Sequence, residues 1–271
     1  MSEEYRMPGK IIDIHNHVAR GDDGSRLIEL MDAAHIEVTL VLELPILGGT
    51  ADVMPAVRKY PDRLVGGVFC DPRDGKAAID RVKHYYDEGY RVVKLFPNLG
   101  YYPDDETFRP FFDAIAERKM AVLSHCGWLG FSGENVCRET WASYRATPGR
   151  FEKVIRLYPE ITFIMAHMGG ITGVLETVML TTRTANTFTD CSPGQGRWAL
   201  EATGNIAASV PPEKLMWGAD CYSQPDLLPE YRRLLVELGY GPHLEKIFYA
   251  NARKVLEKIG ALEPEGRDES V

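Results

Sequence analysis

The sequence predicts an α/β protein built as one (β/α)8 (TIM) barrel with an added C-terminal helix. Three observations lead there. The chain has 271 residues, longer than most single domains but suited to an eightfold barrel. A short apolar run followed by an amphipathic stretch recurs along its length. Several of the apolar runs end in histidine or aspartate, and in a barrel the strand ends form one shared rim.

The candidate strands span 10–17, 38–42, 64–70, 91–96, 121–126, 162–167, 187–191 and 215–220. They are rich in Val, Ile, Leu and Phe, and most follow a Gly, Pro or polar turn. Between them lie helical patterns. In 105–118, Phe108, Phe111, Phe112 and Ile115 recur at helix spacing. In 151–158, Thr147 is placed as N-cap and Pro148 at the first helical position. The segment 244–259 reads as one further helix, and the tail beyond it as frayed. Strands alternating with helices imply parallel strands joined by right-handed crossovers. With no Ser/Gly-rich linker or low-complexity tract, residues 1–271 are expected to form a single domain.

Composition narrows the function classes. A net charge of −8, with basic residues scattered, disfavours a nucleic-acid partner. No apolar run is long enough for a membrane span, and the polar start MSEEYRMPGK resembles no export signal. Five cysteines without a C-x-x-C pair suggest reduced thiols and the cytoplasm. A small-molecule substrate is the implied partner; assembly as a homodimer or higher homo-oligomer is left open.

The first strand, IIDIHNH, carries the first chemical signal. Under strict alternation Asp13, His15 and His17 share one face, and Ile12 and Ile14 the other. Barrel interiors are normally filled by Val, Ile and Leu, so an inward Asp-His-His face needs a purpose. Two imidazoles about 6.6 Å apart along a strand can converge on one ion. H-x-H alone fits a ligand pair or a hydrogen-bonded core pair equally well. The other strand ends shift the balance: His125 closes the fifth, His167 the sixth and Asp220 the eighth. Four of seven histidines thus gather at one rim. His35, His84 and His243 sit in a turn, on a polar helix and near a Gly-Pro turn. Imidazole with carboxylate suits zinc, and also manganese, iron or nickel. Cys126, Cys191 and Cys221, also near strand ends, read as small apolar residues rather than nucleophiles.

The motifs DIHNH, VVKLFP, SHCG, MAHMGG, WGAD and YANARK occur in the order expected of the amidohydrolase superfamily. The chain resembles its amidohydrolase-related ("amidohydrolase 2") branch, from about residue 11 to residue 254. That branch includes lactone hydrolases and non-oxidative decarboxylases. The resemblance implies a divalent metal, zinc first among the candidates, held by His15, His17, His125 and Asp220. It makes His167 a further ligand or a group that orients water or polarises substrate, and Asp220 the general base. Some relatives bridge two metals with a carboxylated lysine on strand four, which would be Lys94. The reading favoured for this chain is one metal, with Lys94 lining the pocket. A lone lysine there could also extend past the rim into solvent. Asp13 is expected behind the ligands, and Asn251 is expected to tie the last helix to the barrel.

The longest loop, 127–149, carries Trp128, Arg138 and Arg145. A loop of this length is more often functional than idle. Flat apolar surfaces with arginines suggest a small carboxylated substrate, stacked and gripped. The expected activity is metal-dependent hydrolysis of an amide, ester or lactone by metal-activated water. The alternative is metal-dependent, non-oxidative decarboxylation of an aromatic or unsaturated acid. A non-catalytic metal-binding barrel is a third possibility, weakened by the presence of Asp220.

Overall fold

Strand β1 (Ile11–Asn16) opens an eight-stranded parallel sheet whose spatial order is the chain order. It is followed by β2 (Ile36–Leu42), β3 (Leu64–Phe69), β4 (Val92–Leu95) and β5 (Ala121–Ser124). The sheet continues through β6 (Thr162–Met165), β7 (Thr187–Asp190) and β8 (Leu215–Met216). The structure is a computed structural model that describes residues 5–19, 21–45, 52–128, 142–221 and 223–264. Between β8 and β1, Ile14 N donates to Trp217 O at 3.2 Å, and Asn16 and Asp220 form a parallel bridge. These links bring the last strand back to the first and make the sheet a nearly closed barrel.

One helix follows each strand: α1 (Ser25–Ala33), α2 (Met54–Lys59), α3 (Lys76–Asp87), α4 (Arg109–Glu117), α5 (Glu152–Leu157), α6 (Gly170–Arg183), α7 (Gln195–Thr203) and α8 (Gln224–Glu237). The added C-terminal segment is a π-turn, Lys246–Ala250, leading into α9 (Asn251–Lys258). Asn251 holds it in place by donating to Pro212 O at 2.7 Å and Leu215 O at 2.8 Å. Local chemistry sets other boundaries. Asp105 accepts from Thr107 N at 2.9 Å, capping the turn that enters α4. Thr147 does precede a turn led by Pro148, but its side chain makes no capping bond. Its extended backbone and the fixed φ of proline start that turn instead.

Strand alternation divides the apolar residues into two layers. Val38, Leu40, Val92, Leu123, Ile164 and Met216 point into the barrel and meet Val255 and Leu256 of α9 and the following Ile259, which close its lower end. Val41, Val68, Val93, Leu95, Val122 and Phe163 face outward under the helices. Below the rim the barrel is a dry, packed core, and chemistry is confined to its upper end.

In β1 the expected single polar face is not what forms. Ile12 pairs with Val38 and Asp13 with Thr39, but the next pair is Asn16 with Val41, an extra residue on β1. This β-bulge breaks the alternation. Ile12 and Ile14 therefore belong to the inner cluster. Asp13 turns away from the barrel axis, accepting from Gln224 Nε2 of α8 at 2.7 Å and from Asn16 Nδ2 at 2.7 Å. It also accepts from the amides of His15 at 3.1 Å and Ala219 at 3.0 Å, so it braces the bulge from behind. Burial pushes its carboxyl up to about 7 despite those four donors.

Candidate metal centre

The bulge delivers His15 and His17 together to the upper end of the barrel. Opposite them, Asp220 stands beyond β8. His15 Nε2 lies 3.8 Å from Asp220 Oδ1, and His17 Nε2 lies 3.3 Å from the same oxygen. Ligating atoms of these three side chains all fall within 4.8 Å of one another. The backbone is bent to achieve this. Five non-glycine residues have positive φ among those described, and His167, Met168 and Asp220 are three of them. Such positions concentrate where a site over-determines its geometry. Gly218 is needed for the same reason: a Cβ there would sit 2.7 Å from His15 Cβ.

Hydrogen bonding says which atoms are free to bind. His17 Nδ1 lies 2.8 Å from Leu42 O, and a carbonyl can only accept, so Nδ1 carries the proton and Nε2 is bare. His15 Nδ1 lies 3.1 Å from Asp190 Oδ2, which leaves its Nε2 unprotonated as well, facing Lys94 Nζ at 3.0 Å. A bare imidazole nitrogen facing a carboxylate oxygen at 3.3 Å is an acceptor facing an acceptor, an arrangement that calls for a cation between them. Two Nε2 atoms and a carboxylate, with each Nδ1 donated to an oxygen, match the donor set and outer support of a zinc-type site. The residues fit a divalent metal on this ground.

A second grouping, His15 with His167 and Asp190, is equally compact. It is a poorer cation site, because Asp190 is fully loaded: Oδ1 accepts from the amides of His167 and Ser192, each at 3.0 Å, and from the Ser192 hydroxyl. Burial alone would raise the Asp190 carboxyl, but the adjacent His15 and His167 and the Ser192 hydroxyl hold it below the usual carboxylate range.

Three more groups complete the centre. His125 stacks on Phe96 with ring centroids 4.6 Å apart, and its Nδ1 lies 3.2 Å from His167 Nε2. Its Nε2 is buried and has no partner among the described residues, an orphan acceptor or donor of the kind a metal satisfies. His125 stands outside the His15/His17/Asp220 group, with His167, Lys94, Asp220 and His15 as its titratable neighbours. Lys94 does not extend into solvent. It is 1% exposed, with Nζ 3.0 Å from His15 Nε2. The inward register of β4, shared with Val92, leaves it no path outward.

Electrostatics favour ligand-ready histidines. Burial lowers His15 to about 4, with Lys94 adding to the effect. Burial also lowers His167, and together with His167 and Lys94 it takes His125 well below the ordinary imidazole value. Lys94 itself is lowered by burial, against the pull of Asp220 and Asp190. Asp220 is held well below the usual carboxylate range: burial would raise it, but the adjacent His17, His15 and His167 imidazoles lower it. The three cysteines near the rim are pushed the other way by burial, Cys221 to about 12.

The structure thus brings His15, His17, Lys94, His125, His167 and Asp220 together. It does not bring Trp128 or Arg145 to them. Trp128 is 59% exposed. Arg145 lies between the rings of Tyr102 and Tyr144, 4.9 and 5.6 Å from their centroids, and donates to Gly100 O. Arg138 lies outside the described residues. Two site residues escaped the sequence reading, Asp190 and Ser192 of TFTDCS. The signal was present, since Asp190 ends β7 as His125, His167 and Asp220 follow the ends of β5, β6 and β8.

Fold and site define a (β/α)8 barrel with a candidate cation centre at its C-terminal rim. The model of the amidohydrolase family matches residues 29–258, and the chain belongs to that family. The match begins beyond His15 and His17. No curated protein matches the chain. Among solved structures, an uncharacterised TIM-barrel protein from Bordetella bronchiseptica superimposes with a TM-score of 0.67 at 20% identity, covering 93% of this chain and 99% of that one. A 2,6-dihydroxybenzoate decarboxylase from Rhizobium gives 0.61 at 16% identity, covering 92% and 98%. A protein described as a probable 2-pyrone-4,6-dicarboxylic acid hydrolase from Acinetobacter baumannii, with citric acid bound, gives 0.63 at 16% identity, covering 92% and 99%. At these identities the likeness concerns the fold. Among the described residues no helix is long and apolar enough to cross a membrane.

Proposed function

We propose that this protein is a metal-dependent hydrolase acting on the amide, ester or lactone carbonyl of a small carboxylated substrate. The observation that carries the reading is the meeting of two bare imidazole nitrogens, His15 Nε2 and His17 Nε2, with the Asp220 carboxylate. His15, His17 and Asp220 would hold one divalent metal, zinc first among the candidates, with the orphan Nε2 of His125 as a further donor. When bound, such an ion supplies Lewis acidity and lowers the pKa of water.

The chain's own residues divide the remaining work. Asp220 is the acid group of the centre that solvent reaches, 21% exposed against 1% for His15 and 0% for Asp190. It is therefore the carboxylate placed to accept a proton from attacking water, and this favours hydrolysis. The neutral His167 and His125 lie beside it to orient the carbonyl. Lys94 supplies a buried amine that can hold a substrate anion or a developing negative charge. Support for the substrate class comes from the fold's occurrence in a dicarboxylic acid hydrolase and in a decarboxylase of an aromatic acid.

Decarboxylation is the second reading, and Lys94 favours it. A buried amine 3.0 Å from His15 is a proton source away from bulk water, as protonation at carbon requires. The test is to load the purified protein with zinc, manganese, iron or nickel and assay lactones, esters and aromatic acids. Ring opening or ester cleavage abolished by chelation supports hydrolysis. Carbon dioxide release without water addition replaces it with the second reading, and inertness with every metal removes both.

A further inference from the structure

We propose that Asp190 and Ser192 are positioning residues that set the tautomers of His15, His167 and His125, so that His15 and His125 each keep a bare Nε2 for the centre. The inference rests on the reading of these nitrogens as cation donors, and it goes beyond that reading by naming what keeps them free.

Asp190, which is 0% exposed, anchors a chain of donors and acceptors. An ionised carboxylate can only accept, so each of its partners must donate. His15 Nδ1, 3.1 Å from Oδ2, therefore carries its proton there. The Ser192 hydroxyl also contacts Oδ1, and its single proton is committed to that bond. Ser192 Oγ lies 2.7 Å from His167 Nδ1, and having no proton left it must accept, so Nδ1 of His167 is protonated. Ser192 Oγ also lies 3.3 Å from His15 Nδ1, a longer contact compatible with the same proton. Neutral His167 then has a bare Nε2, which faces His125 Nδ1 at 3.2 Å. His125 must donate across that gap, which leaves its own Nε2 bare. That atom is the buried one with no partner.

The result is a directed chain, Asp190 to Ser192 to His167 to His125, with a shorter branch from Asp190 to His15. Its direction is fixed at one end by a charge that cannot donate. Without it nothing among these contacts decides which nitrogen of His125 is protonated, and an Nε2–H imidazole cannot bind a cation through that buried nitrogen.

The experiment uses the full chain, metal-free, with 15N-labelled histidine, and zinc alone as probe. Ring nitrogen spectra of the native protein are expected to show His15, His167 and His125 with Nδ1 protonated and Nε2 unprotonated. In Ser192→Ala, His167 and His125 should lose that single form, His15 should keep it, and zinc affinity by chelator competition should fall about 10- to 100-fold. Ser192→Thr, which keeps a hydroxyl, should restore both. Asp190→Asn should disturb His15 as well. An Nε2–H signal for His125 in the native protein overturns the proposal whatever the variants do. So does a folded Ser192→Ala protein whose His125 spectrum and zinc affinity are unchanged. Native tautomers as proposed in a protein that binds no zinc would support the chain and instead defeat the metal reading.

Discussion

The two ends of the barrel interior are made by the same eight strands under different rules. At the lower end, alternation holds. Val38, Leu40, Val92, Leu123 and Met216 point inward in register, and α9 seals them from below. At the upper end, regular geometry is repeatedly broken: a bulge at His15, left-handed backbone at His167 and Asp220, and a glycine required at 218. Regular strands place a side chain every second residue on a common wall. Converging several polar atoms on one point needs local departures from that regularity, held in place by the packed core beneath. The lower half thus carries stability and the upper half carries aim.

That division can be broken most sharply at Asp220. Asp220→Asn keeps the size of the side chain but removes its charge and its ability to take a proton. Turnover is expected to fall by about 10²- to 10⁴-fold, the range for a lost general base. Zinc binding should weaken as well. The melting temperature of the metal-free protein should change little, because the packed core that carries stability lies at the other end of the barrel. A metal-free variant markedly less stable than its parent would show that the upper end carries stability after all.

The complementary break lies below. Leu123 is fully buried in the inner layer, one position short of the rim on β5. Leu123→Ala should destabilise by about 2–5 kcal/mol through lost burial and an unfilled cavity. Zinc affinity of the folded fraction should remain within about threefold of the parent. Denaturant unfolding beside chelator competition reads both. Gly218→Ala sits where the two halves meet. Its Cβ would approach His15 Cβ to 2.7 Å and His15 N to 3.1 Å, so β1 or β8 must shift. We expect about 1–3 kcal/mol of destabilisation, the ordinary cost of overpacking, together with a measurable loss of zinc affinity. If only one of the two readouts moves, the halves are less coupled than the packing implies.

The same contrast explains what the sequence disclosed. The apolar runs located all eight strands because the lower barrel obeys alternation, and His125, His167 and Asp220 were visible as polar residues terminating those runs. Asp13 was set on one inward face with His15 and His17 because a one-residue bulge has no signature in IIDIHNH: only its partners Gln224 and Thr39, brought close by folding, show which way it turns. Asp190 was missed because its role depends on His15, 175 positions away in the chain. Ser192 was missed because a serine after a strand is unremarkable until three polar atoms surround it. Arg145, expected to grip a substrate anion, has other partners in the structure. Its chemistry is right, but the tyrosines and the Gly100 carbonyl hold it.

The smallest expected effect concerns Cys221, which separates nearness to the centre from participation in it. Its sulfur lies 3.5 Å from Asp220 Oδ1, near enough to invite a nucleophilic role. Burial and the Asp220 charge push its thiol up to about 12, against an ordinary value of 9.0. At pH 7 the thiolate is then a minor form, and the thiolate is the reactive form. Cys221→Ser keeps a small donor beside Asp220 and should leave turnover within about twofold. Alkylation of the native protein by iodoacetamide at pH 7 should be correspondingly slow despite the residue's exposure. Rapid alkylation that zinc protects against, or a tenfold loss in the serine variant, would place the thiol among the working groups of the upper end and require the division of labour around Asp220 to be redrawn.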